Sequence, residues 1–438
     1  MSDSDQRLPT DGVAGTGGPI SIVQRGNLKT LEQTLRKQWR LGQNIVLCWS
    51  ADPRGLLVIF VPHYFLGNYC ADDAEHRGNE QYIRELVSGG RRMQRDELFA
   101  VSERLGVAPT FIKLSTALVE EARLLAEVDQ LIRRYGISYV DERAVLLFDI
   151  VEFSLFTPFE QASQLNSLSY SLNSAYNKLL DRGIEINFAR TTTGDGYYVW
   201  NRRVSAEADI HLFYFMVLVI ADNAVARAQS RGNTVPVIRT GFHIGGHYEL
   251  YQAEGVNPTV FSYIVGDVTI ELARMVDIAK ASQVLVGEFT TPGSGAVRAL
   301  NSMTSDAFVA ACSQGLEVLV GTQLSGKTVL AVHCALTCQR NDAGESVPRR
   351  FRVVDKHGIN HMVYNLELEI ELEGEQKLRL GLDGGALPGA RDGEAVAAVV
   401  GEIPGDSAEP APAAPAEEMF DDLANLLQRR RSGRIAED

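Results

Sequence analysis

The sequence predicts an α+β fold in which a mixed sheet with helices on its faces spans residues 137–371. A small α/β region precedes it over 25–136, and disordered segments are expected at 1–24 and 372–438. Three observations carry this reading. Val145 to Phe148 form an unbroken apolar run, the pattern of a strand buried on both faces. From there to Glu288 the pattern runs strand, helix, strand, turn, strand, helix, strand, helix, strand, which suits a sheet covered by helices. After about 372 the composition turns to Gly, Ala, Pro and acid, as in GLDGGALPGARDGEAVAAVVGEIPG and AEPAPAAPAEE, the composition of a disordered linker.

Composition bounds the function classes. Hydrophobic content of 45% and charged content of 22% are those of an ordinary globular protein, and 438 residues suffice for two or three domains. A formal net charge of -14 argues against a general nucleic-acid binder and against attraction to an anionic membrane. Cys48, Cys70, Cys312, Cys334 and Cys338 are odd in number and widely scattered, which does not resemble a disulfide framework. They read as reduced, and the polar N-terminus shows no secretory signal, so a cytoplasmic location is expected. The longest apolar run, Leu212 to Ala221, falls well short of the ~20 residues a membrane span needs.

Taken in order, Leu28, Leu31, Leu35 and Trp39 recur at helical spacing behind Asn27, a good N-cap. NIVLCWS and LLVIFV flank ADPRG as a β-hairpin, and residues 63–107 are mixed. Leu114, Leu118, Ala122, Leu125, Val128 and Ile132 then trace one face of a long helix over Thr110–Arg134 that ends at Gly136. That helix fits packing on its own domain and fits dimer formation equally. Thr157-Pro158-Phe159-Glu160 is a capping box with proline at the first helical position. It opens a helix with the stripe Leu165, Leu168, Leu172, Ala175 and Leu179, stopped at Gly183. IEINFAR leads as a strand into GDG, residues 206–231 form a buried helix, and VPVIRTGFHIGG is the next strand.

The chemistry centres on the end of the first buried strand. A buried carboxylate without a partner costs several kcal/mol or neutralises by shifting its pKa, so Asp149 needs a partner. Asp195, between Gly194 and Gly196 in a tight turn, is the candidate. Two carboxylates at the ends of neighbouring strands form a candidate site for divalent cations.

The series FDIVEFS, GDGYYVW, VIRTGFHIGG and VGDVTIELARMVDIAKASQVLV, from Phe148 to Val286, resembles the catalytic domain of class III nucleotidyl cyclases. DKHGINHMVYNLEL, residues 355–368, resembles that family's closing lysine-glycine strand. The resemblance implies a ferredoxin-like βαββαβ core and a head-to-tail homodimer with shared sites. It also implies attack of a 3'-hydroxyl on the α-phosphate of the same nucleotide, expelling pyrophosphate. Two divalent cations, Mn2+ or Mg2+, are then expected on Asp149, Asp195 and the Ile150 carbonyl, with phosphate on the backbone amides that follow. Arg274 falls at the family's transition-state arginine, contributed by the partner subunit, and Arg239 and Lys356 at its β- and γ-phosphate positions.

Departures from the family bear on the substrate. Thr191 stands where adenylate cyclases carry a base-reading lysine, and Tyr263 where they carry aspartate or threonine. Tyrosine takes volume from a base pocket, which favours a smaller base. This resembles the bacterial pyrimidine cyclases of anti-phage signalling (Pycsar), whose cyclic nucleotide acts on a separate effector. UTP is the expected substrate, with CTP, ATP or GTP as alternatives. Ile270 replaces the ribose-orienting asparagine, and Thr269 beside it points elsewhere on a helix. A rival of another class is a catalytically weak nucleotide-binding module; both carboxylates and Arg274 argue against it.

Other features read as structural. His243 and His247 lie on a strand, and His357 and His361 are likewise read as structural; Cys334 and Cys338 with His333 lack a second pair of ligands. In the tail, Met419, Phe420, Leu423, Leu426 and Leu427 form a short amphipathic helix ending in Arg429, Arg430 and Arg431.

Overall fold

Backbone pairing begins in the N-terminal region. The computed structural model describes residues 20–71, 78–119, 121–253, 260–292, 302–324, 326–341, 343–354, 358–374, 377–381 and 396–397. The expected tail helix at 419–427, Lys356 and His357 lie outside them. Helix α1 (Ile22–Trp39) starts earlier than expected: Ser21, not Asn27, is its N-cap and accepts from the Gln24 amide. Asn27 is fully buried within the helix and donates to the Thr116 carbonyl and hydroxyl. The hairpin forms as β1 (Asn44–Asp52) and β2 (Gly55–Pro62), followed by α2 (Phe65–Ala71), α3 (Gly78–Ser88) and α4 (Arg95–Leu105).

The single helix expected over 110–134 does not form. Residues Thr110–Lys113 are β3, which pairs with β2, and only Ala122–Arg133 is helical, as α5. Thr110, Phe111 and Ile112 are strand formers and complete the ladder that β2 would otherwise leave open. Leu114 joins the same apolar cluster as Val128 from outside the helix, so the i,i+4 pattern reported burial, not helix. The buried face of α5 (Leu124, Val128, Leu131, Ile132) packs on its own region beside α1.

Arg91, 1% exposed, ties this region to the next strand. Its guanidinium donates to the carbonyls of Leu47 and Ile137 and to the Ser138 hydroxyl.

The central strand is β4 (Ile137–Ile150), with residues 144–148 at most 4% exposed. It leads to α6 (Pro158–Asp181), opened by the Thr157–Glu160 capping box. Strands β5 (Phe188–Thr192) and β6 (Gly196–Asn201) follow, then α7 (Ala206–Gln229) and β7 (Ile238–Ala253). The sheet order β7-β4-β6-β5, with every neighbour antiparallel, is the split βαβ arrangement of a βαββαβ core. The fold is α+β.

Strand β8 (Val260–Val265) pairs with the far end of β7 and feeds α8 (Asp267–Ile278). Strand β9 (Val284–Gly287) runs parallel to β7, and α9 (Ser305–Gly315) leads to β10 (Lys327–Leu336), which pairs with β11 (Asn360–Leu372). β11 also pairs with β9 and with β12 (Leu378–Leu380).

Alternation along β4 splits the core. Leu146, Phe148 and Ile150 face α6 and α7, whereas Val145 and Leu147 face Val268, Leu272 and Val276 of α8. Taken whole, α7 is long and apolar enough to cross a membrane, which the run 212–221 alone did not suggest. Here 83% of its most apolar window is buried in the core.

Candidate active site

Asp149 is the residue at which β4 meets both neighbours. It lies opposite Gly196 on β6 and opposite Arg239 on β7, on the α8 side of the sheet. No side chain fits at Gly196: a Cβ there would lie 1.9 Å from the Phe148 carbonyl oxygen. That close approach holds the β5–β6 turn against β4, and the Ile150 amide donates to the Asp195 carbonyl at 3.0 Å. Gly194, at φ 106°, supplies the left-handed turn before Asp195. The Thr193 hydroxyl donates to Asp195 Oδ1 at 3.0 Å, fixing the second carboxylate.

Arg239 supplies the local positive charge. Its Nε donates to Asp149 Oδ2 at 2.6 Å, and its Nη1 donates to the carbonyls of Asp277 and Ala279 at the end of α8. Burial pushes the Asp149 carboxyl above the ordinary aspartate range; Arg239 opposes the shift, and the charges of Asp195 and Asp277 add to it. The predicted pair Asp149 and Asp195 is therefore brought together. Among the described residues no side chain engages Asp149 Oδ1, and no group of three His, Cys, Asp or Glu side chains is arranged to hold a metal ion. Two carboxylates and a nearby carbonyl fit a hard divalent cation that takes its remaining ligands from phosphate and water, as Mg2+ and Mn2+ do, and not an all-protein cage.

Beyond Ile150 the chain turns sharply. Glu152 is left-handed (φ 55°) and Phe153–Leu155 is a 3-10 turn. The Val151 amide is used by the Val237 carbonyl. Among the described residues no backbone carbonyl accepts from the amides of Glu152, Phe153 or Ser154, and such a turn presents successive N–H groups to a phosphate.

The remaining predicted residues are more scattered. Thr191 lies on β5 opposite Tyr198 of β6, which is itself opposite Leu147, so Thr191 shares the α8 face of the sheet with Asp149. Tyr263 on β8 is half-buried and alternates with Ile264, which enters the apolar cluster of Ala189 and Val268. Arg274 is half-buried on α8, one turn before Asp277. Ile270 is 53% exposed, and the Thr269 hydroxyl donates to the Gly266 carbonyl at 2.8 Å, so it is occupied at the start of α8.

Two residues of the site were not singled out from sequence. Tyr198 donates its hydroxyl to the Thr269 carbonyl at 2.9 Å, and burial, with Asp277 and Asp149 nearby, pushes it up to about 12. Its alternation with Trp200 in GDGYYVW was the available signal. Asp277 had none beyond its place three residues after Arg274.

Of the described histidines, His243, His247 and His361 lie in the interior of the fold. His243 and His247 are buried, His247 Nε2 within 3.3 Å of Arg143, and burial lowers both to about 4. His361 pairs with Glu271 at 2.5 Å. All five cysteines are free, and Cys334 and His333 alternate along β10.

No protein-family model matches this chain, and no curated protein matches it. Among solved structures it is similar to the guanylate cyclase domain of RhGC from Catenaria anguillulae in complex with GTP. That pair is 15% identical over 52% of this chain and 97% of the other, with a TM-score of 0.30. The adenylyl cyclase CyaB from P. aeruginosa is 12% identical over 53% and 95%, with a TM-score of 0.31. The guanylyl cyclase Cya2 is 11% identical over 51% and 91%, with a TM-score of 0.28.

Proposed function

We propose that this chain is a pyrimidine nucleotide cyclase that converts UTP to 3',5'-cyclic UMP and pyrophosphate. The observation that carries the reading is the convergence of Asp149, Asp195 and Arg239 where β4, β6 and β7 meet, beside the open amides of 152–154. The bond from the 3'-oxygen to the α-phosphorus forms, the bond from that phosphorus to the bridging oxygen breaks, pyrophosphate leaves with the electron pair, and the hydroxyl proton passes to solvent.

Asp149, Asp195 and the Ile150 carbonyl would hold two divalent cations. When bound, these supply charge neutralisation of the triphosphate and activation of the 3'-hydroxyl. Arg239 fixes Asp149 through Oδ2 and leaves Oδ1 available, and it supplies positive charge to the β- and γ-phosphates together with Lys356. Arg274, from the second copy of a homodimer, stabilises charge developing at the α-phosphate. Thr191 and Tyr263 read the base, and the bulk of Tyr263 favours a pyrimidine. The product would act on a separate effector in anti-phage defence, a role supported by the resemblance of the sequence to pyrimidine cyclases.

The test is a competition: purified chain with equal ATP, GTP, CTP and UTP and Mn2+, with products resolved by mass. Cyclic UMP is the expected dominant product. Cyclic AMP or cyclic GMP as the main product would overturn the assignment of Thr191 and Tyr263.

A further inference from the structure

Helix α8 lies on a smooth stretch of the sheet. Gly241 and Gly245 of β7 run beneath it, and a Cβ at Gly241 would come within 2.9 Å of Leu272 Cδ2 and Val276 Cγ2. A Cβ at Gly245 would come within 3.2 Å of Val268 Cβ. Val268, Leu272 and Val276 hold the helix down through apolar packing with Val145 and Leu147. Such packing is non-directional, and a surface without side-chain ridges does little to fix a helix along or about its axis.

Directional contacts do that, and they come from three strands. Near the C-terminal end of α8, Arg239 of β7 donates to the carbonyls of Asp277 and Ala279. In its middle, Glu271 pairs with His361 of β11. At its start, Tyr198 of β6 donates its hydroxyl to the Thr269 carbonyl at 2.9 Å. Among the described residues this is the one hydrogen bond from the sheet to the first turn of α8, whose other bonds run within the helix or to Gly266. Tyr198 follows Asp195 by three residues and lies opposite Leu147 and Thr191 on the neighbouring strands. Arg274 follows Thr269 by five residues, about 7.5 Å along the helix axis.

We propose that Tyr198 is a positioning residue for the cyclisation: its hydroxyl sets the axial position and rotation of α8 on the sheet, and thereby the placement of Arg274. It acts through the Thr269 carbonyl. The role of Arg274 rests on the cyclase reading, whereas the pinning of α8 does not. A misplacement of ~1 Å can cost ~100-fold in rate, so a hydroxyl that touches no substrate has measurable leverage.

Tyr198→Phe keeps the ring in its apolar packing and removes only the hydroxyl. In the full chain with UTP and Mn2+ it should lower kcat at least ~10-fold and leave KM within about two-fold, because Arg274 acts in the transition state. In an Arg274→Ala background the same substitution should cost nothing further, whereas a merely structural role gives the same fractional loss in both backgrounds. Hydrogen exchange of the amides of 270–274 should be about 5-fold faster in Tyr198→Phe than in wild type, with α6 unchanged. An unchanged kcat, an equal fractional loss in both backgrounds, or unchanged exchange across 270–274 would each overturn the proposal. A wild type that makes no cyclic product from any of the four nucleotides would instead overturn the cyclase reading, and the exchange comparison alone would then decide whether Tyr198 pins α8.

Discussion

Replacing Arg239 by methionine tests the electrostatics of the candidate site without touching either carboxylate. The substitution keeps an apolar stem but removes the 2.6 Å contact to Asp149 and two donations to the carbonyls of Asp277 and Ala279. Asp149, 12% exposed, then faces the charges of Asp195 and Asp277 with no other cation against it among the described residues. Removing one partner of a fully buried pair costs about 3–5 kcal/mol. Arg239 is 24% exposed, and Asp149 has the further option of taking up a proton, so about 2–3 kcal/mol is expected at pH 7.5. That corresponds to a fall in melting temperature of roughly 4–12 °C for a domain of this size.

The informative step is adding Mn2+. A cation on Asp149 and Asp195 replaces the missing guanidinium. At ~2 mM Mn2+ and a Kd near ~0.1 mM the gain is about 1.8 kcal/mol. Melts in EDTA and in Mn2+ should therefore show a larger Mn2+ increment for Arg239→Met than for wild type. Adding Asp149→Asn should abolish that increment. A Mn2+ increment that survives Asp149→Asn would refute the assignment of the ion to this carboxylate.

Two further outcomes follow from the same geometry. Gly196→Ala forces a Cβ to within 1.9 Å of the Phe148 carbonyl oxygen, so β6 must move off β4 beside Asp149. It should cost about 3 kcal/mol and nearly all activity, whereas Gly194→Ala, with open space but φ 106°, should cost only about 1–2 kcal/mol; denaturant melts and product assays separate them. Asp209 accepts the Ala144 amide at 2.8 Å, and burial pushes its carboxyl up to about 6. Its contribution to stability is complete below its unfolded value near 4 and is lost as pH rises through 6. Asp209→Asn should therefore stabilise the protein by about 1–3 kcal/mol at pH 8, with the gain shrinking towards pH 4 in melts across that range.

How far the sequence could be read depended on whether a pattern had one structural meaning. The capping box at Thr157–Glu160 and the double-sided burial of Val145–Phe148 have one, and both appear as expected. The run from Leu114 to Ile132 has two, because residues from a strand, a loop and a helix bury into one cluster at intervals that imitate a helix. Asn27 misled for a similar reason. It is a good N-cap in isolation, but the Thr116 segment buries it mid-helix. Within the site, Asp149 was legible as a carboxylate at the end of a buried strand. Its neighbours Tyr198 and Asp277 depend on where α8 docks, and local sequence does not carry that.

The central claim is that Asp149 and Asp195 together support cyclisation of a pyrimidine triphosphate. The most direct measurement incubates wild type, Asp149→Asn and Asp195→Asn with UTP and Mn2+ and resolves nucleotide products and pyrophosphate by mass. The account predicts cyclic UMP and pyrophosphate in equal amounts from wild type and at least a ~100-fold loss in each variant, with melting curves showing both variants folded. Undiminished cyclic UMP from either folded variant, or linear UMP as the only wild-type product, would contradict it.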